Sequence, residues 1–256
     1  EPAVMARDTM VEKGLRGDGL QVESFNAALL HEPWEVQNQS GRPFQVFTPF
    51  WRHCLARPDP AEPPSAPRHL CAPGKWPKSL ALGDLELEPK INWAEGLSGA
   101  WQPGEAGAKA SLRRFLADAF ADYSEQRNRP DVVGTSRLSA HLHFGEISPR
   151  QVWHELKRMA AKRSVPVAQW RGSQFVAELG WREFSHPLLY HFPRTPSEPS
   201  RAAFREFHWR EEPVFLKAWQ QGRTGFPIVD AGLRELWATG WMHNRVRMIV
   251  ASFLVK

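Results

Sequence analysis

The chain has 256 residues, 42% of them hydrophobic and 24% charged, enough apolar content to bury a core in one large domain or two small ones. Its apolar runs are short, Ile249 to Val255 being typical, which excludes the ~20-residue apolar stretch of a membrane-crossing helix. Thirty-three Lys and Arg against 28 Asp and Glu give a net charge of +5, which permits a polyanionic partner without demanding one.

The two cysteines, Cys54 and Cys71, have neither CxxC spacing nor neighbouring ligand residues, so no disulfide framework and no metal site are expected. With no charged-then-apolar leader after Glu1, a cytoplasmic location is expected. Twelve Trp against two Tyr is an unusual balance. Indoles suit stacking on flat ligands or electron hopping, although a helical core can also simply use Trp.

In chain order, residues 3–16 read as a helix with Val4, Val11 and Leu15 near one face, stopped by Gly17 and Gly19 and followed by a strand in QVESFNAALL. A helix-then-strand opening resembles the tail of an α/β unit, which predicts that the chain starts inside a domain. Residues 43–103 carry 11 of the 22 prolines and predict a long connector with one short helix near Pro49 to Ala56. Its apolar islands Trp76, Leu85, Ile91 and Trp93 are expected to pack over a surface.

After residue 108, Leu112, Phe115, Leu116, Ala119, Phe120 and Tyr123 fall at i, i+3, i+4, i+7, i+8 and i+11, an amphipathic helix. Ser148-Pro149 is a capping serine with proline at the first helical position, opening a helix to about Lys162. Further helices are predicted at about 166–191, 213–221, 228–239 and 241–256. The last is still running at Lys256, which predicts a domain that continues. The fold class expected is an α/β remnant at residues 1–32, a connector at 33–108 and an all-α domain at 109–256, mainly α overall.

Three clusters carry chemistry. Thr135, Ser136 and Ser139 crowd the start of a predicted short helix in GTSRLS, where free N–H groups, hydroxyls and Arg137 suit a diphosphate, or where the hydroxyls merely cap. Glu178, Trp181, Arg182 and Ser185 fall at i, i+3, i+4 and i+7, a carboxylate, an indole, a guanidinium and a hydroxyl on one stripe. Such a face suits a flat, edge-polar ligand, or is a surface helix with an internal ion pair. Trp241, Asn244, Arg245 and Met248 repeat that spacing, with His243 expected as a structural hydrogen-bonder. No P-loop, GxGxxG or Ser-His-Asp order is present.

The runs GTSRLSAHLHFGEISPRQV, ELGWREF, GRTGFPIVDAGLREL and GWMHNRVRMIVASFLVK, in this order, closely resemble the photolyase and cryptochrome family from about Tyr123 to Lys256. Within it, the likeness is to class I enzymes acting on cyclobutane pyrimidine dimers. FQVFTPFWRHCL resembles the family's link out of its Rossmann-like α/β antenna domain. The resemblance implies a FAD-binding helical domain and a second antenna chromophore, a folate or a deazaflavin, in the full-length protein.

Residue by residue, it implies that Tyr123 and the loop Thr135, Ser136, Arg137, Leu138 and Ser139 hold the FAD diphosphate and ribityl side. Asn244 faces the reactive edge of the ring, Arg247 pairs with an aspartate beside it, and Arg182 and Phe175 lie against the cofactor. At Phe175 some members carry Trp or a polar residue. Glu178 resembles the acid that hydrogen-bonds the damaged pyrimidines, Trp181 the plate they stack on, and Met248 a pocket residue. Arg127, Arg182, Arg245 and Asn244 meet the DNA, and Trp209 resembles the outer end of a tryptophan relay to the flavin.

The function implied is that of a carbon–carbon lyase, a monomer that binds DNA containing pyrimidine dimers and opens them with an electron from light-excited reduced FAD. Two alternatives remain: a cryptochrome that senses blue light without repair, and a flavin-free helical DNA-binding module.

Overall fold

The computed structural model describes residues 2–255, so the expected continuation at Lys256 lies outside the described residues. The helices are α1 (Pro2–Gly17), α2 (Phe47–Ala56), α3 (Glu95–Ala100), α4 (Gly104–Asp118), α5 (Tyr123–Gln126), α6 (Ser139–His143), α7 (Pro149–Lys162), α8 (Val167–Arg171), α9 (Gln174–His191), α10 (Pro213–Gln220), α11 (Pro227–Thr239) and α12 (Asn244–Val255). The fold is mainly helical, as the sequence implied.

Four expectations need correction. The strand after α1 does not form: residues 20–30 are irregular, and the described residues contain only an isolated Gln37–Pro43 bridge. A strand needs a partner ladder for its backbone groups, and none stands beside this segment. The helix expected to run through Tyr123 ends at Asp118, and the chain turns before α5. The helix expected over 166–191 is two, divided at Gly172-Ser173, where the Ser173 hydroxyl accepts from the Val176 amide and starts α9.

The fourth concerns the connector, which holds α3 and a 3-10 turn at Leu82–Leu85 that its composition did not announce. Trp76, Leu85, Ile91 and Trp93 are exposed and do not pack over a surface. This stretch has no repeating apolar face, so its large side chains have nothing continuous to bury against.

The chain divides into two compact units. The first comprises residues 1–62 and 108–211 and has a core of Leu112, Phe115, Val152, Leu156 and Val176, all essentially inaccessible. The predicted start of α7 is there in full: Ser148 accepts from the Gln151 amide and the Gln151 side chain accepts from the Ser148 amide. Gly180 is what lets α2 meet α9, because a Cβ there would stand 2.5 Å from the Trp51 indole.

The second unit comprises residues 63–107 and 212–256. Gly232 allows α11 and α12 to touch, with Val246 Cγ1 2.3 Å from where its Cβ would be. The Trp101 indole N–H donates to the Thr239 carbonyl (2.7 Å) and that of Trp219 to the Val250 carbonyl (3.2 Å). Asp230 accepts from the Thr224 amide and hydroxyl and the Gly225 amide, which fixes the turn into α11.

Candidate functional site

The first unit contains a cavity of about 960 Å³. One wall is the loop into α6, which contributes Ser136, Leu138 and Ser139, with Leu142 and His143 behind them. The loop sits close because residue 134 is glycine: a Cβ there would fall 2.6 Å from Gln126. Arg137 takes a left-handed φ of 52°, an uncommon conformation for a side-chain-bearing residue. No side chain caps α6, whose N-cap is Leu138, and the Ser136 hydroxyl accepts from the Leu138 amide at 3.4 Å. Thr135 and Arg137 stand outside the lining.

A second wall is α9, which presents Phe175, Glu178, Leu179, Arg182 and His186 to the cavity at helical spacing. Phe175 is buried with its ring 4.5 Å from Phe115 and edge-on to Tyr123 at 5.6 Å. Ala27 and Ala28, from the irregular segment after α1, line it near Arg182, and Val4 of α1 and the expected Tyr123 of α5 line it as well.

Two sets of charged groups meet on α9 beside the cavity. Arg127 pairs with Glu178 at 2.5 Å and lies over the Tyr123 ring at 5.9 Å, while Gln174 donates to Glu178 at 3.0 Å. Arg182 donates to the Ala28 carbonyl (2.7 Å) and reaches Glu183 (3.4 Å). Glu183 is 3% exposed and accepts from the Leu30 amide at 2.7 Å. Burial pushes its carboxyl up to about 7, against the opposing pull of the Leu30 amide, Arg182, the His31 amide and Arg150. His186 donates from Nδ1 to the Arg182 carbonyl, and burial holds its imidazole below the usual range.

The expected Glu178, Trp181, Arg182 and Ser185 stripe is split. Glu178 and Arg182 face the cavity, whereas Trp181 is stacked on Phe47, with centroids 3.7 Å apart and planes at 11°, and is 48% exposed. Ser185 turns its hydroxyl back to the Arg182 carbonyl. Trp209 is 64% exposed and lies edge-on to Phe207 at 4.7 Å.

In the second unit α12 begins at Asn244, which is exposed together with Arg247 and Met248. Arg245 reaches Met248 Sδ at 3.5 Å. His243 is 1% exposed, and its Nδ1 accepts from the Arg245 amide at 3.1 Å, so it is the structural hydrogen-bonder expected. Burial, with the Arg245 charge, holds its imidazole below the usual range.

The donor set of the cavity suits a flavin dinucleotide. Ser136 and Ser139 offer hydroxyls to a diphosphate on one wall, Phe175 and Leu179 offer an apolar face on the other, and the volume stands at the upper end of ligand pockets, roughly 300–1,000 Å³. Leu142, His143, Glu183 and His186 were not singled out in the sequence. Glu183 directly follows Arg182 but lies off the mixed stripe that drew attention to its neighbours. The Phe47 partner of Trp181 comes from α2, far away in the chain, and no local pattern marks it.

Two family models match the chain: one described as DNA photolyase over residues 1–68, the other as the FAD binding domain of DNA photolyase over residues 175–256. A deoxyribodipyrimidine photo-lyase of Agrobacterium fabrum is 46% identical over all of this chain and 53% of its own length. Cryptochrome-1 of Arabidopsis thaliana is 38% identical over all of this chain and 38% of its own. The crystal structure of a bacterial class III photolyase from Agrobacterium tumefaciens superposes with a TM-score of 0.91 at 47% identity, over 98% of this chain and 52% of that one. That class differs from the class I likeness read in the sequence. The chain spans about half the length, or less, of the curated relatives it matches. Cavity, helical order and matched stretches at both ends agree that this chain belongs to the photolyase and cryptochrome family.

Proposed function

We propose that the protein carrying this chain binds FAD in the cavity of the first unit and, under blue light, splits cyclobutane pyrimidine dimers in DNA. The observation that carries the reading is the cavity itself, lined by Ser136 and Ser139 of the loop and by Phe175 and Glu178 of one face of α9, with Glu178 paired to Arg127. When bound and reduced, the flavin would supply on illumination the electron that breaks the dimer ring and would take it back from the separated pyrimidines.

The chain's own residues hold and shield. Ser136 and Ser139 donate to diphosphate oxygens, and Phe175, Leu138 and Leu179 keep water from the enclosed face. Glu178, as a carboxylate, accepts from pyrimidine N–H groups. For this the Arg127 guanidinium must share it or turn to a phosphate of the incoming strand, a change that DNA's charge favours. Trp181 offers its open face to a lesion that has left the stack, and flipping costs less for a damaged pair than for a normal one. On this reading Asn244, Arg245, Arg247 and Met248 keep the flavin and DNA roles that the family resemblance implies, and Thr135 and Arg137 brace the hydroxyl loop.

A cryptochrome is the second reading, favoured by the 38% identity to the plant protein of that name. Purified full-length protein is expected to contain FAD and to remove dimers from DNA under blue light but not in darkness. Bound FAD without light-dependent loss of dimers moves the protein to the cryptochrome reading.

A further inference from the structure

We propose that Glu183 is a positioning residue of the cavity, a latch whose carboxyl group fastens the Ala28–His31 segment to α9 and so holds one cavity wall in place. The geometry is a two-point clamp. Two consecutive residues of α9 grip a backbone more than 150 positions away: Arg182 donates to the Ala28 carbonyl (2.7 Å), and Glu183 accepts from the Leu30 amide (2.7 Å). The segment they hold has no helix or ladder of its own, and Ala27 and Ala28 line the cavity beside Arg182.

The clamp is also placed where charge matters. Around the Glu183 carboxylate stand Arg182 on its own helix, His31 on the held segment, Cys54 from α2 and Arg150 from α7. Burial and the Arg57 charge push His31 down to about 4, and burial pushes the Cys54 thiol up to about 12. Both therefore stay neutral between about pH 5 and pH 9. Within that window only the Glu183 carboxyl titrates in this group.

The sign follows from linkage. With the wall closed the carboxyl is buried and holds its proton up to about 7, whereas an open wall hydrates it and returns it towards its ordinary 4.5. The conformer with the higher proton affinity is favoured at low pH, so the wall is tightest when Glu183 is neutral and loosens as pH rises through about 7.

The test uses the full-length protein with its flavin. Amide hydrogen exchange at Leu30 and His31, corrected for the intrinsic pH effect, is expected to show protection falling about tenfold from about pH 6 to about pH 8. Glu183→Gln is expected to abolish that fall, and Glu183→Ala to lose the protection throughout and to release FAD several-fold faster. Glu183→Gln is expected to release FAD at the wild-type rate measured at the lower pH. A Glu183→Gln profile with the wild-type slope overturns the latch, as does a folded Glu183→Ala protein with unchanged protection and FAD release. The proposal rests on the reading of the cavity as the flavin's. A wild-type protein without FAD overturns that reading, while the exchange profile still decides the latch.

Discussion

At the scale of single residues, Trp181 and Trp209 are both exposed indoles with different expected work. Trp181 is backed by Phe47 and presents half its surface to solvent, the arrangement of a platform held flat from behind. Trp181→Ala is therefore expected to weaken binding to dimer-containing DNA by about 1–3 kcal/mol, the usual value of a base-stacking contact, with flavin content unchanged. Equal losses for damaged and undamaged DNA in a titration would leave Trp181 a packing residue. Trp209, exposed and edge-on to Phe207, has the solvent access that the outer end of an electron relay needs. Trp209→Phe in the full-length protein is expected to slow photoreduction of oxidised flavin under an external reductant, yet to repair normally once the flavin is reduced chemically. A transient absorption rate equal to wild type removes Trp209 from the relay.

At the scale of elements, local signals were legible and distant ones were not. Ser148-Pro149 marked the start of α7 because a cap and its Gln151 partner lie within four residues. The Glu178 and Arg182 spacing showed a polar face on α9 because i, i+4 is a property of one helix. The split of Trp181 away from that face was not visible, since it depends on Phe47 arriving from α2. The false strand at 20–30 has the same origin: a short apolar run suggests a strand, but only a neighbouring ladder makes one. Gly180 is the clearest case of a residue whose reason lies elsewhere in the chain. A methyl at this position would stand 2.5 Å from Trp51, so Gly180→Ala is expected to cost about 1–3 kcal/mol by overpacking the α2–α9 contact. Urea denaturation followed by far-UV circular dichroism measures it, and an unchanged midpoint would show that Trp51 moves aside freely.

At the scale of the whole molecule, one buried carboxyl gives stability a pH dependence of known sign. The folded protein holds the Glu183 proton up to about 7, the unfolded chain only to 4.5. Its contribution is therefore complete below the lower value and lost as pH rises through the higher, roughly 3 kcal/mol in all. Denaturation of wild type against Glu183→Gln at about pH 5 and about pH 8 isolates this term, because His31, which titrates in the opposite sense, is common to both. A difference that does not change with pH contradicts it. The flavin site proposed in the first unit's cavity is tested most directly by a crystal structure of the full-length protein with FAD bound. The account predicts diphosphate density against Ser136 and Ser139 with Phe175 along the cofactor, and a flavin lodged elsewhere, with this cavity filled by protein side chains, would contradict it.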